Sequence, residues 1–177
     1  MARAAFTSGR LLSIEALARE AGVGVGTVYR NYPTREALVE AVYSAERAAL
    51  CARAEQLLDE EREPVVALRR WMDCYGDFVA AKRGVAASRA PSGPAGSVPT
   101  GEAKDALVAT VATLIEAGVR AGRLRADVRA EDVVATLVGI FLAANDRGQA
   151  GRQLDLLVNG LHTCPASADT RKDDHDG

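Results

Sequence analysis

Along this chain, apolar residues recur at spacings of three and four almost throughout, and a strand-like alternation never persists. The pattern predicts an all-α protein. The first repeat runs from Ser13 to Ala21, with Ile14, Leu17, Ala18 and Ala21 on one face. Ser13 suits an N-cap and Glu15 the first turn, where a carboxylate complements the helix dipole. Gly22 follows, a residue free to adopt the left-handed conformation that ends helices. A second short helix is predicted over Val25 to Asn31, and Pro33 stops it because the residue before a proline avoids the helical region. Thr34 then caps a long helix with Leu38, Ala41, Val42, Ala45, Ala49 and Ala52 as its apolar stripe. It is expected to reach about Glu61, roughly 28 residues or about 42 Å.

Pro64 falls where a first helical residue is expected. Leu68, Trp71, Met72, Tyr75, Phe78 and Val79 trace the stripe behind it, and Gly84 is read as its end. Pro91 to Gly101 (PSGPAGSVPTG) is too rich in proline and glycine for a helix and is expected to be a mobile loop, a possible gate. The helical pattern resumes near Glu102 with Leu107, Val111, Leu114, Ile115 and Gly118, and Gly122 marks its end. Glu131 and Asp132 open a helix that is apolar nearly all round from Val133 to Leu142, so it must be covered on two sides. A last helix carries Leu154, Leu157, Val158 and Leu161, and the small, charged residues beyond it predict a disordered tail. The expected division is an N-terminal helical unit over 1–47, a larger helical domain over 48–162, and a tail over 163–177.

Composition narrows the function classes. At 177 residues, 48% hydrophobic and 26% charged, the chain is not wholly disordered. Lys and Arg number 22 against 24 Asp and Glu, so a nucleic-acid surface has to be local. Residues 1–35 carry five Arg against two Glu, which puts the basic bias at the N-terminus. Cys51, Cys74 and Cys164 are too widely spaced for a disulfide framework or a zinc knuckle, and only two histidines, His162 and His175, are present. No metal and no cofactor is expected. No apolar run approaches the ~20 residues of a membrane span, and MARAAFTSGR has no signal-peptide core. The expectation is a cytoplasmic protein with no membrane partner. GVGVG follows a helix rather than a strand and lacks the G-x-G-x-x-G spacing of a nucleotide loop. No grouping of Ser, His and Asp and no carboxylate pair suggests an enzyme.

Two short helices around a tight glycine-containing turn form the skeleton of a helix-turn-helix, whose second helix meets base edges and phosphates in the major groove. That assigns Val25, Gly26, Thr27, Tyr29, Arg30 and Asn31 to the DNA-facing surface, with Val28 turned inward onto Leu17. Thr34 and Arg35 give a second phosphate site at the start of the long helix. The stretch AREAGVGVGTVYRNYPTREALVEAVY resembles the DNA-binding signature of the tetracycline-repressor (TetR) family of bacterial regulators. Ala18, Ala21, Gly22, Val23, Gly26, Thr27, Val28, Tyr29 and Leu38 match that signature. Tyr32 replaces the usual Phe, Arg35 the usual Lys, Asn31 a common His, and Gly24 the common capping Ser. AGVRAGRLRADVRAEDVVATLVGI and RQLDLLVNGL resemble the ligand-binding and dimerisation region of one branch of the family.

The resemblance implies a ligand-responsive transcriptional repressor, in which a small molecule shifts the population toward a state with wrongly spaced recognition helices. The apolar helix (Val134, Leu137, Val138, Phe141) and the last stripe (Leu154, Leu157, Val158, Leu161) are not expected to be buried within one chain. They are assigned to a four-helix interface of a homodimer, with double-stranded DNA carrying a palindromic operator as partner. Trp71, Cys74, Tyr75, Phe78, Val111, Ile115 and Phe141 are assigned to a pocket for a small apolar or aromatic effector. One departure stands out: the family has a full first helix before the segment represented by Phe6 to Gly9, and here only Met1 to Ser8 is available. A start codon assigned too far downstream accounts for this most simply. The alternative is a dimeric small-molecule-binding protein with weakened or lost DNA binding.

Overall fold

The computed structural model describes residues 18–19, 22–87, 99 and 101–163, with the side chains at 35–36 and 84–87 excepted. Ser13 to Leu17, Phe6 to Gly9, most of the Pro91–Gly101 segment and the tail beyond Thr163 lie outside the described residues. Among the described residues there are six helices and no strand: α1 (Val25–Asn31), α2 (Arg35–Glu60), α3 (Pro64–Ala87), α4 (Glu102–Arg120), α5 (Ala130–Ala143) and α6 (Arg147–Leu161). Ala18 and Arg19 are also helical.

Local chemistry explains most boundaries. The Thr34 hydroxyl accepts from the Ala37 N–H at 3.1 Å, capping α2. The Asp146 carboxylate accepts from the Gln149 N–H at 2.8 Å, capping α6. α4 ends at Gly122, where φ is +67°; the Arg123 N–H donates to the Gly118 carbonyl and the Gly122 N–H to the Val119 carbonyl, both at 2.9 Å. This is a Schellman closure, and it needs a residue tolerant of positive φ. α3 does not stop at Gly84 as expected but continues to Ala87. A mid-helix glycine costs only about 1 kcal/mol relative to alanine, and Val85, Ala86 and Ala87 carry the helix on.

α2 and α3 lie side by side, α4 packs on both, and α5 and α6 complete the bundle. Leu50, Ala54 and Leu57 of α2 and Leu68, Trp71 and Met72 of α3 form the centre, joined by Leu107, Val111 and Leu114 of α4. The Trp71 indole N–H donates to the Leu50 carbonyl at 2.9 Å, so its one polar atom is satisfied without solvent. Leu124 plugs the far end. It lies against the bare backbone of Gly118, and the bonds Arg125 N–H to Leu161 carbonyl (3.0 Å) and Thr163 N–H to Arg123 carbonyl (3.2 Å) hold the chain on either side of it. Arg69 of α3 bridges Asp73 and, across the bundle, Asp155 of α6 at 2.8 Å.

The apolar stripes of α5 and α6 correct an expectation. Val134, Leu137, Val138, Leu154, Val158 and Leu161 are all buried within the single chain. α5 is covered by α4 and α6 and touches α3, which leaves no apolar stripe of these residues for a partner. Among the eight assigned to a dimer interface, only Phe141 and Leu157 are partly exposed. The large apolar side chains that the pair leaves exposed are Leu142, 46% exposed at the rim of a cavity described below, and Leu156, 72% exposed.

Candidate nucleic-acid interface and effector cavities

The turn before α1 is built from glycine chemistry. Gly22 has φ +67°, and the Val23 N–H donates to the Ala18 carbonyl at 2.9 Å, closing the preceding helix as Gly122 closes α4. Gly24 then takes the extended N-cap conformation of α1 with no side-chain cap. Its carbonyl accepts from the Thr27 N–H at 2.9 Å. Among the described residues, α1 is anchored by Val28, which is buried with Ala18 and Leu38, and Tyr32 packs against the three. Leu17, its expected neighbour, lies outside the described residues.

The rest of α1 faces outward. Val25, Gly26, Thr27, Tyr29, Arg30 and Asn31 are all exposed, Tyr29 to 46%. Arg30 Nε donates to the Gly26 carbonyl at 3.3 Å and Asn31 Nδ2 to the Thr27 carbonyl at 2.9 Å, so both polar groups rest on their own helix. Neither has a carboxylate partner among the described residues, and each can exchange its intrahelical bond for an external acceptor. Thr34, exposed at the start of α2, spends its hydroxyl on the cap. Arg35 opens the first turn of α2, its side chain outside the described residues. The structure therefore leaves the sequence-assigned residues of 25–31 exposed, beside the capped start of a longer helix.

The residues assigned to the effector pocket divide. Trp71, Val111 and Ile115 are interior to the core rather than open to a cavity. Cys74, half-buried, borders an open groove of about 580 Å³ between α2 and α3, together with Phe78. Tyr75, Phe78 and Phe141 do converge: the Tyr75 ring lies 6.3 Å from Phe78 and 5.7 Å from Phe141. They line a narrow cavity of about 70 Å³, closed by Leu107 of α4 and Val138 of α5. Behind Phe141 lies a larger cavity of about 310 Å³ among α3, the α5–α6 corner and α6. Val79, Arg83 and Phe141 border both. The Phe141 ring sits over Gly76, where a Cβ would stand 2.6 Å from its Cζ.

Sequence reasoning missed the charged members of this region, Arg47, Lys82 and Arg83. The Lys82 ammonium lies over the Tyr43 ring, 5.4 Å from its centroid, and the Arg83 guanidinium donates to the Phe141 carbonyl. Burial pushes the Tyr75 phenol up to about 12, which keeps it neutral and a hydrogen-bond donor. No cluster of His, Cys, Asp and Glu among the described residues could hold a metal, and no described helix is long and apolar enough to cross a membrane.

A short exposed helix set by a glycine turn, feeding a long helix into an all-α bundle, defines a helix-turn-helix regulator with a separate helical domain. Comparison with known proteins agrees. Residues 10–42 match the family model of bacterial regulatory proteins of the tetR family, and residues 63–163 match that of the transcriptional regulator SbtR-like, C-terminal domain. The TetR transcriptional regulator SCO0520 from Streptomyces coelicolor is 39% identical over 93% of this chain and 94% of its own, with a TM-score of 0.69. A TetR transcription regulatory protein from Mycobacterium vanbaalenii is 32% identical over 92% and 90%, with a TM-score of 0.65. A transcriptional regulator from Cytophaga hutchinsonii, only 16% identical, shares the fold at a TM-score of 0.69 over 92% and 95%. No curated protein matches the sequence. The chain belongs to the TetR family and is a DNA-binding transcriptional regulator.

Proposed function

We propose that the chain is a ligand-responsive repressor that works in the cytoplasm as a homodimer on a roughly palindromic operator. The observation that carries this reading is the outward face of α1. Tyr29, Arg30, Thr27 and Asn31 stand exposed on a helix whose buried residue, among those described, is Val28, a shape that enters a major groove without refolding. Arg30 meets a phosphate or a base edge, Tyr29 a phosphate through its phenol, and Arg35 a second phosphate beside the capped start of α2. The DNA-reading unit ends near residue 47 and the effector and dimer domain runs from 48 to 162. In support, Leu38 packs with Val28 while Leu50 belongs to the larger core.

The second copy docks on the outward side of α5 and α6, through Leu142, Leu156 and the partly exposed Leu157, and not through the buried stripe. In support, Leu142 and Leu156 are large apolar side chains left exposed on two adjacent helices, and a two-fold axis would pair each helix with its symmetry mate. Two copies then present two α1 helices to half-sites about one duplex turn, or a multiple, apart. Selection of bound duplexes from a random pool tests this reading: enrichment of an inverted repeat is expected, and no enrichment over non-specific binding would refute it.

A further inference from the structure

We propose that the two cavities flanking Phe141 form one site for an amphiphilic organic carboxylate, its charge held by Arg83 and Arg47 and its apolar body against Tyr75, Phe78 and Phe141. The inference rests on the effector reading above and gives that effector a chemistry.

Charge is the first observation. The narrower cavity is bordered by three basic side chains and by no acidic one. Arg47 and Arg83 are both half-buried, and neither has a carboxylate partner among the described residues. Among the described residues, Arg47 reaches the Ser44 hydroxyl at 3.4 Å and Arg83 the Phe141 carbonyl. The sequence between Ala87 and Gly101 contains no Asp or Glu that could neutralise them. On the wider side, the acids are already engaged: Asp73 with Arg69, and Asp146 with the Gln149 N–H. Arg147 there is paired with Asp77. Arg83, common to both cavities, is the cation left over. Half-buried guanidinium groups without counter-ions favour an anionic ligand, which they can grip through charge-assisted bonds.

The phenol of Tyr75 is the second observation. Tyr75 is 3% exposed and borders the narrow cavity, and its hydroxyl finds no hydrogen-bond partner among the described residues. That hydroxyl can donate to an oxygen of a ligand bound in the cavity it borders. The third is shape. The narrow cavity is too small for more than the head of a ligand, but only Phe141, Val79 and Arg83 stand between it and about 310 Å³ of further space. The Phe141 ring is half-exposed and rests on glycine, so a change of rotamer joins the two.

Purified protein is titrated with 4-phenylbutyrate and with 4-phenylbutanamide, which keeps the skeleton and removes the charge. Trp71 fluorescence and melting temperature are the readouts, Trp71 being stacked 6.1 Å from Tyr75. The carboxylate is expected to bind at least tenfold more tightly than the amide and to raise the melting temperature. Arg83→Gln should remove most of that preference and Arg47→Gln part of it, while Tyr75→Phe weakens the carboxylate several-fold. Equal binding of acid and amide, or of neither, overturns the proposal. So does an equal response to sodium sulfate at matched ionic strength, which would mark a charge effect without an apolar site. Operator binding is measured alongside: its retention with no response to either compound leaves the regulator reading standing, and its absence with the charge preference intact does the reverse.

Discussion

Gly118→Ala sets two known magnitudes against each other. Alanine is preferred over glycine in a helix interior by about 1 kcal/mol, and Gly118 is an interior residue of α4. The new methyl, however, would stand 2.4 Å from Leu124 Cδ1 and 2.6 Å from its Cγ. Carbon atoms in contact prefer about 3.5–4.0 Å. Leu124 is not free to retreat. It is buried, its N–H donates to the Gly118 carbonyl at 3.2 Å, and the bonds to Leu161 and Thr163 pin the backbone on both sides. Overpacking costs about 1–3 kcal/mol, and with Leu124 pinned on both sides the upper half of that range applies, so repulsion outweighs propensity and a net loss of about 1–2 kcal/mol is expected. For a chain of this length that lowers the melting temperature by roughly 2–8 °C. Urea and thermal unfolding followed by circular dichroism measure it. Gly76→Ala is the internal control. Its methyl meets the tip of the Phe141 ring at a similar distance, but that ring borders a cavity and can swing aside, so a change within about 1 kcal/mol is expected. Gly118→Ala matching or exceeding the parent in stability, or Gly76→Ala proving the more damaging, would refute the reasoning.

Arg30→Ala should weaken operator binding and flatten the dependence of log affinity on log salt by about 0.9, if one phosphate contact is lost; an unchanged slope removes that role. Leu156→Arg should leave the fold of one chain within about 0.5 kcal/mol, because Leu156 is 72% exposed, yet shift light scattering from dimer to monomer. A persistent dimer at micromolar concentration would place the interface elsewhere. Tyr75 gives a pH signature. Its folded pKa of about 12 lies above the unfolded value near 10, so the unfolded chain releases the proton first. The stabilisation is fully present below pH 10 and fades as pH rises from about 10 through 12. Tyr75→Phe should flatten the stability profile in that window and nowhere else.

The signals that were legible in the sequence are those that act over a few residues. Thr34, Pro64, Gly22 and Gly122 each fix a helix end by chemistry confined to one turn, and the structure puts the ends there or within a residue or two. The exposure of 25–31 follows from the same locality, since among the described residues Val28 is the one of that helix buried against Ala18 and Leu38. Asp146 was overlooked, although a carboxylate followed three residues later by Gln149 is a readable capping signal. What could not be read was which helix covers which. The apolar circumference of α5 demands cover on two sides, but α4 and α6 of the same chain supply it as well as a partner would. Trp71, on the same face as Tyr75, lies one turn deeper and so misses the cavity. Arg47 and Arg83 look in sequence like solvated surface charges; only the crossing of α2, α3 and α5 encloses them.

α2 contains neither glycine nor proline across its 26 residues, so it has no built-in joint. Leu38 near one end is locked to Val28, and Leu50 lies about 18 Å further along in the other core. Such a rod behaves as a lever. Pivoting it 10° about Leu50 sweeps Leu38, and the reading helix fastened to it, through about 3 Å. Arg47 sits less than one turn from that fulcrum, where a small pull by a bound molecule becomes a displacement comparable with the rise between neighbouring base pairs.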